Sequence, residues 1–162
     1  MPVGFLRTSN SNEVSTIANI VWREYYSSIF SKEYLDYIID LFQSESAIKE
    51  QMDNGYIYTF IKVGEEKVGY YALKMNGDDL RIYKFYIRKE YRGKGIGSKA
   101  FNEMVSFAKS QNMRTISLNV YKGNFSAIQM YSSKGFKMKC KESTSIGKGY
   151  ILDDFVMEYV VK

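Results

Sequence analysis

The sequence predicts an α+β fold with a mostly antiparallel sheet, and three observations predict it. Three successive segments, YIYTFIKV, KVGYYALKM and LRIYKFYI, are rich in β-branched and aromatic residues and are separated by Gly64-Glu65-Glu66 and Asn76-Gly77-Asp78-Asp79. That is the pattern of an antiparallel meander. Helical periodicity occupies blocks before and after the meander, without the strict strand–helix alternation of a parallel sheet. A chain of 162 residues that is 45% hydrophobic and 25% charged is long enough to bury a core as one domain, residues 1–162, without disulfides or metals.

Residues 3–7 (VGFLR) form the expected first strand. Asn10 and Glu13 stand at capping-box spacing, so a helix begins near residue 11 and is expected to run to about Phe30. Ser31 and Ser44 cap two further helices over 32–42 and 45–53, the second closed by Asp53-Asn54-Gly55. The meander strands follow over 56–63, 67–75 and 80–87. From about 95 to 110, Ile96, Ala100, Met104, Phe107 and Ala108 hold one face of a helix. TISLNV (115–120) alternates as a strand. Asn124 caps and Gly135 stops a short helix, and strands over 136–142 and 150–161 finish the chain. The order is β-ααα-βββ-α-β-α-ββ.

The composition excludes several chemistries. There is no histidine and one cysteine, Cys140, so Ser-His-Asp triads, Cys-His dyads and His-bearing zinc sites are out, and no metal site is expected. No apolar run reaches the ~18 residues of a membrane helix, and MPVGFLRTSNSNEV lacks the apolar stretch of a signal peptide; a cytoplasmic protein that does not bind a membrane is expected. The net charge of +5 suits an anionic partner. Without an RNP-like motif or a dense basic run, however, nucleic acid is not the expected one.

The informative segment is Tyr91-Arg92-Gly93-Lys94-Gly95-Ile96-Gly97, between a strand and an amphipathic helix. Three glycines in five residues let backbone N–H groups converge, the helix N-terminus adds its dipole, and Arg92 and Lys94 add charge. This suits a pyrophosphate; a flexible strand–helix connection is the plainer alternative. The spacing is neither a P-loop nor a Rossmann fingerprint.

These residues resemble the GNAT superfamily of N-acetyltransferases. Arg92, Gly95 and Gly97 match its coenzyme A signature [QR]-x-x-G-x-[GA]. Asn124, Ala127, Ile128, Tyr131, Gly135 and Phe136 match a second family segment, with Lys134 one place from the usual lysine. The order of elements agrees from end to end. The segments WREYYSSIF…YLDYIIDLF and IGKGYILDDFVMEYV also look like a bacterial branch that includes polyamine acetyltransferases. Two departures stand out. Lys89 occupies a place where many relatives have proline, and Arg81-Ile82-Tyr83-Lys84-Phe85 lacks the carboxylate that serves many relatives as general base.

The resemblance implies a GNAT-like fold, acetyl-CoA as cofactor, and acetyl transfer to a primary amine by direct attack on the thioester. It assigns the phosphates to Arg92, Gly93, Lys94, Gly95, Ile96 and Gly97. It assigns the thioester to backbone around Phe85, Tyr86 and Ile87, and a cofactor wall to Asn124, Ala127 and Tyr131. Tyr131, protonated at neutral pH with an ordinary pKa of about 10, would supply the leaving thiolate with a proton. Glu24, Tyr26, Phe30 and Asp154 are candidates for the acceptor side. Asp153, Asp154, Glu158 and Glu24 are the carboxylates available for a proton relay, solvated surface charge being the alternative for each. A small-molecule amine or polyamine is the expected acceptor. A protein lysine or N-terminus, or a non-catalytic module that binds coenzyme A, are the alternatives. Oligomeric state is left open, a homodimer included.

Overall fold

The computed structural model describes residues Pro2–Lys162. The elements are β1 (Val3–Thr8), α1 (Ser11–Tyr26), α2 (Lys32–Gln43), α3 (Glu45–Asp53), β2 (Ile57–Val63), β3 (Glu66–Asn76) and β4 (Asp79–Ile87), then a 3-10 turn, Lys89–Tyr91. They continue as α4 (Ile96–Ser110), β5 (Thr115–Tyr121), α5 (Phe125–Ser133), β6 (Lys137–Gly147) and β7 (Tyr150–Val160). The fold is α+β, as the sequence predicts. Its seven-stranded sheet, flanked by helices, has the order β1-β2-β3-β4-β5-β7-β6. The chain divides into two compact units, one running up to Lys74 and including Lys84–Met104, the other made of Met75–Tyr83 and Val105–Lys162.

In the first unit α1 buries Val14, Ile17, Ala18 and Val21, a helical stripe, against Ile48 of α3, Tyr58 and Phe60 of β2, and Tyr70 and Ala72 of β3. The helix starts follow from their caps. Asn10 accepts from the Glu13 amide at 3.0 Å, while Ser31 and Ser44 accept from the amides of Tyr34 and Ala47. α1 stops at Tyr26 rather than near Phe30. The Tyr26 carbonyl is taken by the amides of Ile29 and Phe30, and Ser31 must turn extended (φ −63°, ψ 155°) to cap α2. Two serines, 27 and 28, lower the cost of breaking there.

In the second unit β5 is central. It pairs parallel with the first half of β4, from Asp79↔Thr115 to Ile82↔Leu118, and antiparallel with β7 along its whole length. Ile116, Leu118 and Val120 are buried on one face. Thr115, Ser117, Asn119 and Tyr121 therefore project from the other. β6 pairs with β7 and extends to Gly147, five residues beyond the expected end. Lys148 and Gly149, with φ of 54° and 78°, close the hairpin in two residues, so Ser143, Thr144 and Ser145 are held in the ladder.

Candidate active site

Two residues of the glycine-rich turn adopt a left-handed backbone: Gly93 has φ 74° and Gly95 has φ 79°. Nothing lies within 4 Å of where a Cβ would stand on either one. The turn is thus open at both positions, and it leads directly into the first turn of α4, the end at which a helix presents amide donors. Its entry is fastened. The Lys89 amide, which a proline would lack, donates to Glu24 Oε1 at 3.1 Å, and Arg88 pairs with Glu24 Oε2 at 3.7 Å. Arg92 donates through Nε to the Ile87 carbonyl at 2.9 Å, and its guanidinium lies 3.6 Å from the centre of the Tyr25 ring. One Arg92 Nη is buried with no hydrogen-bond partner among the described residues. An open glycine turn, a helix N-terminus and a buried donor without an acceptor fit a diphosphate. Coenzyme A would be held here by Arg92–Gly97.

The same unit gathers an aromatic cluster around Tyr86 of β4. The Tyr86 ring centre lies 5.2 Å from those of Trp22 and Tyr25, and its hydroxyl is 3.0 Å from that of Tyr26. Phe30 stacks on Tyr26 at 5.4 Å and meets Tyr34 at 4.8 Å. Tyr26 and Phe30, read from the sequence as acceptor-side residues, are thus joined to the strand segment Phe85–Ile87. Glu24 sits at the turn entry instead, occupied by Arg88 and Lys89. Phe85 points away from this cluster, 6.4 Å from Tyr71.

Three residues that shape this region were not singled out by sequence. Gly69 of β3 passes so close to β4 that a Cβ would stand 2.3 Å from the Tyr86 carbonyl oxygen. A lone glycine inside a strand pattern is its signal. Lys84 is buried, and its Nζ donates to the Phe42 carbonyl (2.6 Å), Gln51 Oε1 (2.8 Å) and Tyr58 hydroxyl (2.6 Å). Burial drives its amine well below the ordinary lysine value. Gln43, also buried, accepts from the Tyr70 hydroxyl, which in turn accepts from Trp22 Nε1.

In the second unit Asn124 caps α5, its Oδ1 accepting from the Ala127 amide at 3.3 Å. Tyr131 is half-buried on α5, its ring 5.4 Å from that of Phe136, which in turn meets Tyr159 at 5.6 Å. Asp154 of β7 accepts from Asn119 Nδ2 at 3.3 Å, and Asn119 Oδ1 accepts from Arg81 of β4. Burial raises the Asp154 carboxyl above its usual range, with Asn119 opposing. Asp153 is held low by its hydrogen bond to Lys122, and Glu158 is paired with Lys139 at 3.2 Å. Among the described residues no helix is long and apolar enough to cross a membrane.

The family profile described as "Acetyltransferase (GNAT) family" matches residues 14–136. A spermidine N(1)-acetyltransferase from Thermoplasma acidophilum is 22% identical over 147 residues, covering 88% of this chain and 86% of its own. A putative ribosomal protein bS18-alanine N-acetyltransferase from Bacillus subtilis is 29% identical over 111 residues, 68% of this chain and 70% of its own. Among solved structures, the PaiA N-acetyltransferase of Thermoplasma acidophilum in complex with coenzyme A superposes with a TM-score of 0.81 at 21% identity, covering 99% of both chains. The chain belongs to the GNAT family of acetyl-CoA-dependent N-acetyltransferases.

Proposed function

We propose that the protein acetylates a primary amine on a small molecule or polyamine, the amine attacking the thioester directly. The observation that carries this reading is the Arg92–Gly97 turn. It is open, left-handed at Gly93 and Gly95, and lies beside a buried arginine Nη without a partner. Acetyl-CoA supplies an activated acetyl group on a good leaving thiolate. Backbone N–H groups around Phe85–Ile87 stabilise the oxygen charge that develops on the acetyl carbonyl, a role that needs no histidine. The Tyr131 hydroxyl protonates the thiolate as it departs. The aromatic cluster with Tyr26 and Phe30 offers the acceptor an apolar, cation-tolerant surface. A spermidine acetyltransferase among the relatives supports the polyamine choice. The bS18-alanine acetyltransferase relative supports a second reading, in which a peptide N-terminus is the acceptor.

The test is thiol release from acetyl-CoA against polyamines, amino acids, arylalkylamines, aminoglycosides and N-terminal peptides. Release with a small amine or polyamine is expected, and exclusive release with peptides would install the second reading. On the productive acceptor, Tyr131→Phe should lower kcat by roughly 10²–10⁴-fold with acetyl-CoA affinity retained, since the ring and its packing survive. An unchanged kcat would return Tyr131 to the core.

A further inference from the structure

The 3-10 turn Lys89–Tyr91 has no cap from the side chain that precedes it, Arg88. Its first amide, that of Lys89, is met instead by Glu24 Oε1 at 3.1 Å, from 65 residues away on α1. The first N–H of a helical turn has no partner within the turn, so this bond fixes where the turn begins. Glu24 Oε2 faces Arg88 at 3.7 Å, so one carboxylate touches both residues at the entry. The next two residues of α1 grip the same segment. The Tyr25 ring lies against the Arg92 guanidinium, and the Tyr26 hydroxyl meets that of Tyr86. Their helix is a fixed anchor, because Val14, Ile17, Ala18 and Val21 bury it in the core of this unit. Further along, Gly93 and Gly95 have open space where a Cβ would stand. Their amides therefore take their positions from the fastened residues before them and the helix that follows.

We infer that Glu24 is a positioning residue for the cofactor: it fixes the start of the Lys89–Tyr91 turn and, through it, the Arg92–Gly97 backbone that would hold the diphosphate. The inference rests on the coenzyme A site assigned to that backbone above. A turn already in place binds more tightly than one the ligand must order, because the ordering cost is then not charged to binding. Glu24 does by a hydrogen bond what a proline at position 89 would do by its ring, which holds φ at about −65°. The backbone is compatible with that proline. Arg88 has φ −58° and ψ 142°, the extended conformation favoured before proline, and the bond a proline would forgo is the one to Glu24. Loss of the carboxylate would still leave Arg88 with Glu90, 3.6 Å away, so the guanidinium keeps a counter-charge.

The experiment is acetyl-CoA calorimetry with thermal unfolding on native protein, Glu24→Ala, Glu24→Gln, Lys89→Pro and the double variant Glu24→Ala/Lys89→Pro. Glu24→Ala should bind acetyl-CoA about tenfold more weakly, the scale set by losing a hydrogen bond to a charged group. In steady-state kinetics that loss should appear in KM for acetyl-CoA rather than in kcat. Glu24→Gln, whose amide oxygen can still accept from Lys89, should stay within about threefold of native. Lys89→Pro should bring Glu24→Ala back to about native affinity, a rescue that a merely structural role for Glu24 would not give. A folded Glu24→Ala that binds as native does, a Glu24→Gln as weak as Glu24→Ala, or a double variant no tighter than Glu24→Ala overturns the assignment and leaves the cofactor site standing. Should Glu24→Ala fail to fold, the double variant is compared with Lys89→Pro alone: equal affinity is expected, and a tenfold loss overturns. No acetyl-CoA binding by native protein, or full binding by Gly95→Val, removes the cofactor site and this inference with it.

Discussion

Lys84 is a lysine only 6% exposed whose bonded partners carry no negative charge. Its Nζ reaches the Phe42 carbonyl, one of the last four of α2, where the helix dipole favours a cation. That attraction competes with desolvation, and desolvation wins, so the folded-state amine titrates well below an ordinary lysine. The sign of the consequence is fixed. Between the depressed value and about 10.4, the unfolded lysine keeps a proton that the folded one has lost, so stability rises with pH across that window. Tyr58 and Tyr70, whose hydroxyls burial pushes upward, act in the opposite sense only above about pH 10. Urea midpoints between pH 7 and 10 should therefore climb for native protein and flatten for Lys84→Met. Equal slopes in the two proteins would mean that Lys84 is not the linked group.

At the scale of elements, the contact between β3 and β4 is set by one missing side chain. Gly69 allows the β3 backbone to approach the Tyr86 carbonyl, and the Arg88 amide next along donates to the Val68 carbonyl at 2.7 Å. An added Cβ would meet backbone, which cannot rotate away. Gly69→Ala is expected to cost roughly 1–3 kcal/mol, the usual range for overpacking, and to lower kcat by displacing Phe85–Ile87. Chemical denaturation with paired kinetics checks both, and a variant as stable and as active as native would show that β4 yields freely. The elements themselves were largely legible. Asn10, Ser31, Ser44 and Asn124 all cap where their spacing predicts, because a cap is a contact between residues three apart. The end of α1 was not legible: Ser31 marks where α2 begins, but nothing in the spacing shows that the chain leaves the helix already after Tyr26. Nor was the length of β6, whose Ser143–Ser145 segment is kept extended by Asp153, Leu152 and Ile151 across the hairpin. The Arg92–Gly97 turn was visible because its residues are consecutive. Arg81, Asn119 and Asp154 lie 38 and 35 residues apart in sequence, and only the strand order brings them together.

For the whole molecule, the turn predicts how the fold responds to its cofactor. A ligand that binds the native and not the unfolded chain adds about 2.7 kcal/mol at 100 times its dissociation constant. In a chain of 162 residues, 1 kcal/mol corresponds to about 2–4 °C, so acetyl-CoA should raise the melting midpoint by about 5–10 °C. The net charge of +5 offers a rival explanation, because any polyphosphate could stabilise a basic surface. Two controls separate the explanations. Surface attraction is screened within about 8 Å at physiological salt and weaker still at higher salt, so an increment due to charge alone should vanish at 0.5 M NaCl and be matched by inorganic triphosphate. Gly95→Val places a β-branched residue at φ 79°, a conformation costing about 1–2 kcal/mol for an L-residue, and sets its side chain in the open space beside the turn. Its ligand-free midpoint should fall by a few degrees and its acetyl-CoA increment should disappear, with net charge unchanged. If Gly95→Val keeps the full increment, or triphosphate reproduces it in native protein, the Arg92–Gly97 turn is a connector and the cofactor's phosphates are held elsewhere.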